Sequence, residues 1–202
     1  MKSTNTLPSN YKQSLNIDIR KTNKKLSIYL NLASFTVLII LVYLGGVFTG
    51  PFYESELFTS LLFTKRDPGS LFLTPLFLLS ACFFMFVMNH ILQYILLIIL
   101  GSKSIKHNYK KKTIMKNVYG SSYLSKKSYI FSLVFPGLVI SLTLIVCAIY
   151  FSTTYFWSFF FLLAMNISGD VGNFYILFKL RSEKNESYVL DSGDRIQVFR
   201  LS

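Results

Sequence analysis

The chain has 202 residues, 52% of them hydrophobic, 17% aromatic and only 15% charged, with a formal charge of +12. Soluble domains carry roughly a quarter charged residues, so this composition excludes an ordinary soluble enzyme and fits a single domain whose aromatic-rich helices face lipid. Nearly all Lys and Arg fall between the apolar runs, which marks membrane topology; no basic, aromatic-interleaved nucleic-acid motif occurs.

Residues 1–25 are polar and basic, with Lys2, Lys12, Arg20, Lys21, Lys24 and Lys25 and no strong apolar period. They are expected to form a basic cytoplasmic tail, at most with a short interfacial helix. Residues 26–48 then run without a charge, long enough to span a bilayer. The apolar region is too long for a cleaved signal peptide and no small-x-small site follows, so it reads as an uncleaved anchor.

Residues 49–70 mix Glu54, Glu56, Lys65, Arg66 and Asp67 with Gly and Pro, the pattern of a loop. Residues 71–100 carry no charge apart from His90. About 30 residues exceed the roughly 20 needed to cross, so this helix must tilt, protrude or bend near Pro75. Residues 101–127 hold Lys103, Lys106, Lys110, Lys111, Lys112, Lys116, Lys126 and Lys127 with no acid, a cytoplasmic loop by the positive-inside rule and one able to lie on anionic lipid. The third span is 128–151, with Pro136 near its start. A turn at 152–154 leads into the fourth, 155–180.

In the tail 181–202, apolar stretches flank Asp191-Ser192-Gly193-Asp194, a hairpin signal. The expected fold class is therefore an all-α membrane protein of four transmembrane helices with a short cytoplasmic C-terminal hairpin-like tail. Both termini and the Lys loop lie inside; 49–70 and 152–154 face outward. Cys82 and Cys147 fall in apolar segments and read as packing residues, not as a disulfide framework or a zinc ribbon.

Two ionisable residues lie inside spans: His90 and Asp170. Such residues are costly in a membrane and mark function by default. Each sits about ten residues before the basic end of its helix, about 15 Å below the same membrane face at 1.5 Å per residue. Asn89 and Gln93 cluster with His90. Asn166, Asp170 and Asn173, spaced four and three apart, form a stripe on the fourth span, with Gly169 and Gly172 beside it as candidate helix-packing positions. The two stripes are expected to face each other. Interhelical hydrogen bonding alone would also account for them.

The span 83–97, FFMFVMNHILQYILL, resembles the HExxH helix of a zincin peptidase family, four-helix bacterial membrane proteins related to site-2-type intramembrane metalloproteases. NISGDVGNFYILFKL and SYVLDSGDRIQVF resemble that family's Gly-Asp helix and short tail, and Phe135-Pro136-Gly137 early in the third span also fits. The resemblance covers roughly residues 70–200. It implies that two histidines and an Asp bind zinc while a Glu activates water. Carried over, His90 matches the first histidine and Asp170 the acid, but Ile91 replaces the Glu and Tyr94 the second His.

Zinc hydrolysis keeps three protein ligands and an open water position, with a base in reach. No Glu occurs in the four spans, and the other histidine, His107, lies in the Lys loop. The expectation is a catalytically degenerate relative with no cofactor, zinc being the one metal to consider, and a membrane peptide or protein as partner beside the lipid bilayer. The alternatives are an active metalloprotease with an altered site, using Tyr94 and a polar residue such as Asn166, and a small transporter or channel component. No Ser-His-Asp set, phosphate loop or dinucleotide fingerprint is present.

Overall fold

In a computed structural model the structure describes residues 3–4, 6–7, 10–18, 24–49, 70–102, 105–107, 118–120, 122–150, 156–192 and 195–201. The elements in chain order are β1 (Ser3–Thr4), β2 (Tyr11–Asp18), α1 (Lys24–Thr49), α2 (Ser70–Ile99), β3 (Ile105–His107), β4 (Val118–Gly120) and β5 (Tyr123–Ser125). They continue with α3 (Lys126–Tyr150), α4 (Phe156–Gly169), α5 (Val171–Leu180), β6 (Tyr188–Asp191) and β7 (Arg195–Leu201). Of the outward loop read at 49–70, residues 50–69 lie outside the described residues, as do the turn at 152–154 and residues 103–104, 108–117 and 121 of the Lys loop.

Four helices are long and apolar enough to cross a membrane: Lys25–Phe48, Leu76–Ile99, Lys126–Tyr150 and Phe156–Leu180. They coincide with the four expected spans, and the chain is a mostly helical membrane protein. Within the fourth span the regular helix is interrupted at one residue, Asp170, between α4 and α5. The chain divides into two compact units. One comprises Met1–Asn31, His90–Pro136 and Gly172–Ser202; the other comprises Leu32–Asn89 and Gly137–Val171.

The first unit is built on a five-stranded antiparallel sheet of order β1-β5-β6-β7-β2. The expected C-terminal hairpin is β6–β7, with Val189 opposite Val198 and Asp191 opposite Ile196. It is closed by Ser192, whose N–H and Oγ both donate to the Arg195 carbonyl at 3.0 Å. The N-terminal segment, expected as a tail, instead supplies two strands. β2 pairs with β7 from Tyr11↔Leu201 to Asp18↔Arg195, with a register shift between Gln13 and Leu15. A separate two-stranded sheet joins β3 to β4, with Ile105 opposite Gly120.

Alternation decides which face the sheet buries. Leu124, Val189, Ile196, Val198 and Ile17 form one core with Leu97 and Leu100 from the end of α2, Tyr129 and Leu133 from the start of α3, and Ile176 and Leu180 from α5. This answers the length of the second apolar run. At about 1.5 Å per residue α2 is about 45 Å long. It passes Pro75 without interruption, and its last turn protrudes into the sheet core. Fully burying such side chains stabilises by roughly 1.5–3 kcal/mol each.

Several polar groups of this junction are paired. Ser125 Oγ accepts the Ser128 N–H at 3.3 Å, capping α3. Lys126, only 6% exposed, donates through Nζ to the Glu183 carbonyl, and the Glu183 carboxylate accepts Ser14 Oγ at 2.8 Å. Tyr129, 3% exposed, donates its hydroxyl to Asp191 Oδ2 at 2.8 Å.

The second unit is helical. α4 touches each of its neighbours. Ser34 Oγ of α1 donates to the Ser168 carbonyl at 2.6 Å, and a Cβ at Gly45 of α1 would overlap the Phe160 ring. Cys82 Sγ of α2 donates to Met165 Sδ at 3.5 Å. With no hydrophobic drive between helices in lipid, such small-residue contacts and hydrogen bonds hold a bundle together.

Candidate functional site

Asp170 stands where the fourth span breaks. Its N–H is shared between the carbonyls of Asn166 at 3.3 Å and Ile167 at 3.2 Å, a tightened last turn of α4. Its carboxylate lies over Gly137 of α3. A Cβ built at Gly137 would overlap Asp170 Oδ2 and press on Cγ. One turn earlier, Asn166 Nδ2 donates to the Gly137 carbonyl at 3.0 Å and to Ser141 Oγ at 2.9 Å.

Residues four apart share a helical face, so Asn166 and Asp170 both meet α3 along Gly137–Ser141. Asn166 was expected to face the second span; its amide is committed to the third. The reason is the missing side chain at Gly137, which opens a notch deep enough for a carboxylate and bares a carbonyl to the amide. The signal in the sequence was a glycine directly after Pro136, inside an otherwise bulky run. Gly169 is exposed, and among the described residues a Cβ there would meet nothing within 4 Å. Gly172 is buried with Ile176 and Leu180, one stripe of α5 at four-residue spacing. Asn173, on the same helix, is half-buried.

On α2, Asn89, His90 and Gln93 are half-buried, whereas Ile91 is 44% and Tyr94 40% exposed. His90 belongs to the first unit and Asp170 to the second, and each is placed within its own. Among the described residues no group of three or more His, Cys, Asp or Glu comes together in a way that could hold a metal. His107 lies in β3.

A family model described as "Putative zincin peptidase" matches residues 82–188, more than half of the chain. That range runs from the second span through the third and fourth to the first residue of β6. No curated protein and no solved structure matches the chain.

Proposed function

The chain belongs to the family described as putative zincin peptidase, and from that premise we propose that it is a catalytically degenerate member. It keeps the membrane fold, lacks zinc hydrolysis, and binds a membrane peptide or protein where a substrate would lie. One observation carries this reading, the donor set. A zincin presents three ligands to zinc and a carboxylate to its water. Here the corresponding positions hold His90, Ile91 and Tyr94, with Asp170 as the acid.

Isoleucine neither binds a metal nor accepts a proton. A tyrosine is not among the usual zinc ligands, which are Cys, His, Asp and Glu. One imidazole and one carboxylate do not fit a catalytic zinc, and no step is routed through one. The exposed Ile91 and Tyr94 turn the catalytic strip into an apolar, aromatic surface, the kind of surface on which an apolar peptide segment rests. In this reading the basic segments, and with them both termini, lie on the cytoplasmic side of a bacterial plasma membrane.

A photo-cross-linker at position 94, in native membranes, tests partner binding. The expected result is a discrete adduct that is missing when the probe sits at Val146, 64% exposed on α3. A probe at 94 that labels only lipid contradicts it. The retention of His90 and Asp170 favours one other reading, an active peptidase with an altered site. That reading asks Asn166 to serve as a ligand, yet its amide already bonds α3. Cleavage of a membrane substrate that His90→Ala abolishes would establish it.

A further inference from the structure

The sheet of the first unit has two different ends. Its core face, carrying Ile17, Val189, Ile196 and Val198, rests on the ends of α2, α3 and α5, which continue into membrane spans. Its other face carries aromatic pairs, Tyr11 edge-on to Tyr188 at 5.3 Å and Tyr123 edge-on to Phe199 at 5.4 Å. Successive residues of a strand point to opposite faces. Arg200 follows Phe199 and stands two after Val198, so it lies on the core face. Lys12, its direct partner across the ladder, lies there too.

Both cations are exposed, beyond the edge of the apolar core, on the side from which the spans leave. Like charges directly opposite each other destabilise a strand pair. At the far end of the same pair the register sets Asp18 opposite Arg195. The acid near the Lys12 end, Glu183, accepts Ser14 Oγ. Near the start of α3 and the end of α5, Lys127, Lys179, Arg181 and Lys184 are exposed, whereas Glu186 is the one exposed acid among the described side chains.

The geometry points to a docking surface for anionic phospholipid headgroups, centred on the Lys12–Arg200 pair of the β2–β7 ladder. A headgroup phosphate between the two cations turns an unfavourable cross-strand pair into a bridged one. Cations near an anionic leaflet gain from its surface potential, and the gain fades within a Debye length. The sheet is thereby held flat against the membrane from which its own helices emerge. This inference does not depend on whether the chain retains peptidase chemistry.

Amide hydrogen exchange of residues 11–18 and 195–201, measured on the full chain in nanodiscs, tests it. Discs of phosphatidylcholine alone are compared with equal parts phosphatidylcholine and phosphatidylglycerol. Exchange should slow on the order of ten-fold in the anionic discs, and raised sodium chloride should reverse the slowing. The variant Lys12→Gln/Arg200→Gln should exchange alike in both discs, and in phosphatidylcholine more slowly than the parent, since it removes the like-charge pair. Equal exchange of the parent in the two lipids overturns the proposal. So does equal slowing by millimolar inorganic phosphate in phosphatidylcholine discs, which would mean a site for a free anion.

Discussion

Gly137 decides the geometry around Asp170, because a single methyl there collides with the carboxylate. Gly137→Ala should therefore lower stability in detergent by about 1–3 kcal/mol, the cost of overpacking. Adding Asp170→Gly should restore part of that loss; strictly additive melting shifts would show that the two residues do not touch. Asn166→Leu removes two interhelical hydrogen bonds and should cost about 1 kcal/mol on typical membrane values, read as a lower melting temperature. Tyr129→Phe leaves Asp191 Oδ2 without the hydroxyl it accepts. It should cost about 1–3 kcal/mol, the penalty for losing one partner of a buried hydrogen bond. Asp170 stood out in the sequence because a carboxyl inside an apolar run is costly wherever it points. Its neighbour was hidden: a glycine in a span has no direction of its own, and the notch appears only once the helices are packed.

At the scale of elements, the spans were legible because charge-free runs longer than about 20 residues have few other stable fates. The hairpin β6–β7 was legible from the apolar stretches on both sides of Asp-Ser-Gly-Asp. β2 was not. Its sequence, Tyr-Lys-Gln-Ser-Leu-Asn-Ile-Asp, alternates cleanly only over Leu15 and Ile17, and the register shift between Gln13 and Leu15 breaks the period. The break at Asp170 was equally hidden, since the hydropathy of 156–180 is continuous across it. The segment read as a tail is thus part of the core. Deleting residues 1–18 uncovers the edge of β7 and the side of Val198, and should make the C-terminal hairpin sensitive to protease in membranes. An unchanged digestion pattern would show that β2 contributes nothing.

For the whole molecule, the strands before α1, the described strands between α2 and α3 and the C-terminal strands gather in one compact unit. The proposed function is that the chain, a member of the family by its match over 82–188, holds Ile91 and Tyr94 where the family would do its chemistry. Labelling of single cysteines at Asn10 and Ser192 in sealed vesicles should report the same side for both; opposite sides would break the four-span account. The most direct test of the central claim is the zinc content per chain of the purified protein by elemental mass spectrometry, beside His90→Ala/Asp170→Ala. The account predicts no zinc above that control. Near-stoichiometric zinc that the double substitution removes would contradict it and restore a metallopeptidase site.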